Sequence, residues 1–218
     1  MITRRDTIAV LLGMAAGLPR NVAQAMPAEQ APGGPKFGAI VQHGYVVHDV
    51  DQIAHQWTER MGVGPFYVAD QPIDNYIYRG KPVDLKLRIG VSYWRGMQLE
   101  LIQPVSRGTS FYSRALKRAP DKLNHYATLV QDIGTVVRNQ NLDKFVVHTG
   151  GTPGLKFAYL ENYLPDGTTL ELMQVQESVL PAFAAMEAIC RTWDGARPLR
   201  TMAELATDIG ALKKPATQ

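Results

Sequence analysis

The 218-residue chain has a single cysteine, Cys190. One thiol cannot close an internal disulfide, and thiolate metal sites need several sulfurs. Stability must come from a core, and a chain of this size buries roughly 70% of the surface that it exposes unfolded. An excess of one charge is also lacking, with 23 basic residues against 20 acidic. No basic stripe interleaved with aromatics is present, so no nucleic-acid partner is expected. The apolar run over residues 8–18 carries two glycines. It falls short of the roughly 20 residues that span a bilayer, so no membrane partner is expected for the mature chain.

That short run reads instead as part of a leader. Thr3-Arg4-Arg5-Asp6 precedes it and Ala23-Gln24-Ala25 follows. A basic start, a brief apolar stretch and an A-x-A cut site make a secretory signal over residues 1–25. The paired arginines point to the twin-arginine route, although Thr7-Ile8 stands where Phe-Leu would be expected. The expected location is the periplasm or another exported compartment; without cleavage it is the cytoplasm. Residues 26–36, rich in Pro and Gly, read as a flexible leader.

What the chain does contain is a repeat. Residues 98–103 read Gln-Leu-Glu-Leu-Ile-Gln, and residues 169–174 read Thr-Leu-Glu-Leu-Met-Gln. Each closes a half that opens on a histidine and an apolar run, at His43 and at His125. His43 stands six residues before Asp49, and His125 seven before Asp132. Each aspartate can cap a helix. In the first half the patterning predicts strands over 37–47, 66–68, 85–93 and 97–103, a helix after Asp49, and a loop over 70–83. A short helix over 111–118 falls in the connection. In the second half it predicts strands over 123–130, 145–148, 156–160 and 168–175, a helix over 133–140, and a loop over 150–154. Helices around 181–193 and 202–212 lie outside the repeat. The fold class is therefore α+β. Two tandem βαβββ modules, 37–104 and 121–176, form a cupped, mostly antiparallel sheet within a domain over 37–176. A C-terminal helical extension occupies 177–218.

Strand alternation sets Glu100 and Glu171 on the face opposite their flanking leucines. The leucines face a packed core, so the glutamates line a cavity. Two carboxylates buried close together repel, and one stays protonated unless a cation joins them. Two imidazoles complete a mixed nitrogen and oxygen set, suited to a divalent transition metal (Zn, Ni, Co, Mn or Fe) rather than to Ca or Mg. The candidate ligands are His43, Glu100, His125 and Glu171. Tyr45, on the strand face of His43, and Arg88 are candidate substrate-binding residues. His48 and His148, near strand ends, read as surface.

The segments Gln42-His43-Gly44-Tyr45-Val46-Val47, Gly62-Val63-Gly64-Pro65-Phe66, Gln98-Leu99-Glu100-Leu101, Asn124-His125-Tyr126 and Thr169-Leu170-Glu171-Leu172 resemble the vicinal oxygen chelate superfamily. The nearest branches are glyoxalase I and methylmalonyl-CoA epimerase, and the resemblance spans about residues 37–176. It implies that the four ligand positions are His43, Glu100, His125 and Glu171, although the epimerases carry Gln where Glu100 stands. It also implies a metal-dependent isomerase or lyase acting on a small oxygen-bearing substrate through a metal-stabilised enolate. Glu171 would be the base and Glu100 its opposite-face partner. The export signal argues against a coenzyme-A substrate. Two other readings stay open: an Fe(II) ring-cleaving dioxygenase, and a metal-free protein that binds a small molecule. A homodimer is also left open.

Overall fold

The computed structural model describes residues 36–212. The signal reading of residues 1–25, and all of the 26–36 leader except Lys36, lie outside the described residues. The elements in order are β1 (Ile40–Val46), α1 (Val50–Met61), β2 (Phe66–Tyr78), β3 (Lys81–Pro82), β4 (Leu85–Trp94) and β5 (Met97–Pro104). Then follow α2 (Phe111–Arg118), β6 (Lys122–Leu129), α3 (Ile133–Asn139), a 3-10 turn at Asp143–Phe145, β7 (Val146–Thr152), β8 (Leu155–Leu160) and β9 (Thr169–Val175). Last come α4 (Leu180–Arg191), β10 (Leu199–Thr201) and α5 (Met202–Leu212). No helix among the described residues is long and apolar enough to cross a membrane.

The strands make one sheet in the order β10-β2-β4-β5-β1-β6-β9-β8-β7, with β3 on β2. A further β2–β7 pairing curls it into a barrel-like cup. At its centre β1 and β6 run antiparallel. Each is flanked by a parallel partner, β5 beside β1 and β9 beside β6.

Local chemistry starts the helices where the sequence predicts. Asp49 accepts from the Gln52 amide and Asp132 from the Thr135 amide, each satisfying an orphan first-turn donor. Gly62 ends α1 in the left-handed region at φ 65°. The leucines beside the glutamates face outward, under helices. Leu99 and Leu101 pack with Val47, Val50 and Ala54 of the α1 region. Leu170 and Leu172 pack with Val137 of α3. Gly90 lets α1 approach, since a Cβ there would lie 2.8 Å from the Val50 side chain.

Three segments depart from the sequence reading. Most of the loop over 70–83 is strand: β2 runs to Tyr78 and β3 takes Lys81–Pro82, with Asp70, Pro72 and Asp74 exposed and Asn75 inside the register shift between Asp74 and Ile77. A bulge of this kind tolerates turn-type residues inside a strand. The 150–154 loop likewise belongs largely to the β7–β8 hairpin. The C-terminal extension is more than helical, because β10 adds a parallel edge to β2 at Phe66–Val68. Met186, Ile189 and Leu205 pack with Tyr67, whose hydroxyl donates to Asp208 at 2.8 Å. Arg200 meets the same carboxylate at 2.8 Å.

Candidate metal centre

Three ionisable side chains converge on the inner face of the cup. Glu100 on β5, His125 on β6 and Glu171 on β9 place ligand atoms within 4.8 Å of one another. Small residues at the neighbouring strand positions make the room. Gly44 pairs with both Glu100 and His125, and Ala127 pairs with Glu171. A Cβ on Gly44 would lie 1.9 Å from His125 Cε1, so the ring occupies the space that a side chain there would take.

His125 Nε2 is 3.2 Å from Glu171 Oε2 and 3.5 Å from Glu100 Oε2, with the three side chains 0%, 5% and 16% exposed. The Tyr159 hydroxyl is 3.3 Å from the same nitrogen. On the far side of the ring, Asn124 Oδ1 lies 3.2 Å from Nδ1. An acceptor there holds the proton on Nδ1 and turns the Nε2 lone pair toward the two carboxylates. That is the orientation of a metal-ligating imidazole with its outer hydrogen bond. Glu171 Oε2 is buried and lacks a hydrogen bond of acceptable geometry despite its 3.2 Å approach to Nε2. A lone pair facing two carboxylate oxygens, one of them orphaned, is stable only with a cation or a proton between them. The donor set of one imidazole and two carboxylates fits a divalent transition metal.

A proton can serve in place of the ion. Burial lowers the His125 pKa, but the two adjacent carboxylates of Glu100 and Glu171 outweigh it and raise the value to about 9. Burial also raises that of Glu171, partly opposed by the neighbouring His125. For His125 the folded state holds a proton that the unfolded chain releases near 6.5. The stabilisation is therefore complete below pH 6.5 and lost as pH rises through about 9. Urea unfolding of metal-free protein should give falling stability across that window, and His125→Gln should flatten the slope.

The fourth sequence-predicted ligand does not join this group. On β1, Gln42, Gly44 and Val46 are the buried, inward positions. His43 points outward, its ring 5.3 Å from that of Tyr126. Strand pairing explains the error. Gly44 stands opposite Glu100, and Ala127 opposite Glu171. The residue two before Gly44, equivalent to His125, is therefore Gln42. A one-residue slip along a strand swaps the faces. Gln42 Nε2 donates to Gln98 Oε1 at 2.7 Å, and Gln98 donates to the Tyr93 hydroxyl at 2.7 Å. This leaves Gln42 Oε1 buried without a partner.

The substrate-binding candidates are also elsewhere. Tyr45 faces α1 and packs on Trp57 at 5.6 Å. Arg88 is outside the cup, paired with Asp51 at 2.8 Å and Asp70 at 3.0 Å. Its charge is spent on the α1 contact. His148, read as surface, is 1% exposed and boxed by Tyr76, Phe111, Tyr112, Phe157 and Tyr159. Burial holds it neutral, with a pKa well below the usual range. Tyr159 and Asn124 are site residues that the sequence reading missed, and Gln42 is the inward-facing residue that it passed over on β1. Only Gln42 left a signal: it precedes Asp49 by seven residues, the same spacing as His125 to Asp132. Beyond Glu100 and Glu171 on the inner face, a cavity of about 40 Å³ is lined by Gln98, Leu129 and Met173, with Phe183 and Glu187 of α4 across it.

Solved structures with similar folds include a hypothetical protein from Bacillus halodurans C-125, at 14% identity and TM-score 0.46, covering 64% of this chain and 95% of that one. Methylmalonyl-CoA epimerase from Mycobacterium tuberculosis matches at 16% identity and TM-score 0.45, covering 65% and 91%. A mutant 4-hydroxymandelate synthase from Streptomyces coelicolor matches at 18% and 0.42, covering 70% of this chain and 53% of that one. No curated protein matches the chain. Residues 41–159, which include β1, β5 and β6 and end at Tyr159 beside the cluster, match a single family over more than half of the chain. On that match, the chain belongs to the Glyoxalase/Bleomycin resistance protein/Dioxygenase superfamily.

Proposed function

We propose that the protein is a divalent-metal-dependent enzyme of isomerase or lyase type that moves a proton at a carbon of a small oxygen-bearing substrate. The observation that carries this reading is the Glu100–His125–Glu171 cluster with its orphaned carboxylate oxygen. Glu100, His125 and Glu171 would hold the ion, and Gln42, through its unpartnered amide oxygen, is the fourth donor. The two halves then act as tandem βαβββ modules, each supplying one residue from its opening strand and one from its closing strand. When bound, the metal supplies Lewis-acid polarisation of a substrate oxygen.

The proton chemistry belongs to the chain. Burial raises the pKa of Glu171 above its ordinary value, the direction that makes a carboxylate a better general base. Glu100, more exposed at 16%, faces the same point from β5 and is the partner on the opposite side. Tyr159, close to His125 Nε2, is placed to donate a hydrogen bond into the site. The small cavity under α4 restricts the group lodged there to a few heavy atoms. The same proposal puts the mature enzyme outside the cytoplasm, on the signal read in residues 1–25 of the sequence, and N-terminal sequencing of the secreted form would check it.

The test is metal analysis of full chain purified without chelator, followed by solvent-deuterium incorporation into small carbonyl compounds. About one Zn, Ni, Co or Mn per chain, with exchange at carbon, is expected. Iron with oxygen uptake on a catechol would favour ring cleavage, and no metal after reconstitution would favour a binding protein. A paired measurement checks the ligand set. His43→Ala should change metal affinity by less than about threefold, as a substitution away from the site. Gln42→Ala should lower it by about 10- to 100-fold.

A further inference from the structure

One row of residues runs across the inner face of the cup. Residues paired on neighbouring strands share a face. Tyr93 on β4 pairs with Gln98 on β5, Gln98 with Gln42 on β1, Gln42 with Ala127 on β6, and Ala127 with Glu171 on β9. Ala127 is thus the one residue between Gln42 and Glu171, whose strands stand about 10 Å apart, two sheet spacings. Its methyl group is too short to fill that gap. Gln42 Oε1 and Glu171 Oε2 are both buried without a hydrogen-bond partner. The residues that carry the two orphaned oxygens therefore flank a single alanine, on the face that also carries His125 and Glu100.

An amide serves a cation only with its oxygen. For Gln42 the choice of end is made by hydrogen bonds on its other side. Gln42 Nε2 donates to Gln98 Oε1 at 2.7 Å, and Gln98 Nε2 donates to the Tyr93 hydroxyl at 2.7 Å. Run in reverse, with Tyr93 donating to Gln98 and Gln98 to Gln42, the same pairs would be satisfied, but the Gln42 NH2 would be left over in place of its oxygen. The direction is decided by where the Tyr93 proton goes. Burial keeps that phenol above its usual pKa, and the charge of Glu187 adds to the effect, so the proton stays on. Glu187 of α4 lines the same cavity as Tyr93 and Gln98 and is only 9% exposed. A carboxylate accepts and does not donate. A Tyr93 hydroxyl that turns its proton to Glu187 has only lone pairs left for Gln98.

We propose that Gln98, Tyr93 and Glu187 are positioning residues that fix which end of the Gln42 amide is offered to the metal, a deepening that rests on the metal-enzyme reading above. The chain runs from a carboxylate on α4 through a phenol and one amide to the amide on β1. It gives the C-terminal extension a part in the site, because α4 sets the polarity of a donor on the opening strand. Outer partners of a metal donor govern affinity by about 10- to 100-fold.

The test is a double-mutant cycle on full chain, read by zinc affinity and by the visible absorption band of cobalt-loaded protein. Tyr93→Phe keeps the ring in its cluster with Met186 and Ile189 of α4. It should lower zinc affinity about tenfold and shift the cobalt band. In a Gln42→Ala background the same substitution should change affinity by less than about twofold, because no amide is left to orient. Glu187→Gln, whose amide can donate as well as accept, should lower affinity about threefold or more in the parent and not in the Gln42→Ala background. Equal losses in both backgrounds would make these residues merely structural and overturn the assignment, as would parent affinity in either variant. Metal-free protein supplies a separate readout, the solvent exchange of the Gln42 side-chain amide by NMR, its signal identified by loss in Gln42→Ala. Exchange should quicken at least about tenfold in Tyr93→Phe. If zinc fails to bind the parent while that exchange still quickens, the chain orients Gln42 and the metal reading alone falls. If zinc binds and neither variant responds, the metal reading stands and the positioning role falls.

Discussion

Glu171→Gln is expected to fold as the parent does and to lose turnover by about 10²- to 10⁴-fold, the range for removing a general base. The substitution conserves volume at a position only 4% exposed, so Leu170 and Leu172 keep their places under α3. The carboxylate is lost. Burial already holds the Glu171 acid above its ordinary pKa, which means that its charge is a cost the fold carries. A neutral amide removes that cost, so metal-free Glu171→Gln should unfold at the same temperature as the parent or slightly higher. Metal affinity should move the other way, because an amide presents either a weaker oxygen donor or an NH2 group toward His125 Nε2. Thermal unfolding, metal titration and steady-state kinetics on one preparation separate these effects. Retained turnover would remove Glu171 from the role of base, and a lower melting temperature would mean that the carboxylate is structural.

The two glutamates and His125 were legible because a repeat, a two-residue period and charge repulsion agree on them. The helix over 111–118 starts where the sequence reading put it, behind a Ser110–Ser113 capping box that the reading had not used. The opening strand misled because Gln42-His43 offers a familiar ligand type one position from the inward face. The evidence against it was metrical: counting back seven residues from each helix cap lands on His125 and on Gln42. Arg88 misled for a different reason. The carboxylates that neutralise it come from α1 and β2, and sequence spacing does not reveal which element will cover a strand face. His148 was least legible, since its burial depends on the β2–β7 pairing that closes the cup and on α2 inserting Phe111 and Tyr112 beside it. Such long-range closure leaves no local pattern.

Gly44→Ala tests whether the site and the fold are the same object. In a strand interior, replacing glycine by alanine ordinarily stabilises by about 0.5–1 kcal/mol, because the unfolded chain loses freedom. At Gly44 the sign should reverse. The added Cβ would lie 1.9 Å from Cε1 and 2.0 Å from Nε2 of His125. That ring cannot swing aside: it is wholly buried, held at Nδ1 by Asn124, with Tyr159 at its other nitrogen. Either β1 separates from β6 or the imidazole leaves the cluster. Overpacking of a buried site costs about 1–3 kcal/mol, and here the upper end or beyond is expected, together with loss of metal affinity. Gly134→Ala is the control. It sits in α3, where the nearest atom to a new Cβ is the flexible Arg138 guanidinium at 3.2 Å, and it should gain stability by up to about 1 kcal/mol. Urea unfolding of both variants, metal-free and loaded, gives the comparison. If Gly44→Ala proves as stable as the parent and still binds metal, then His125 does not occupy the space over β1, and the cluster is not built as described.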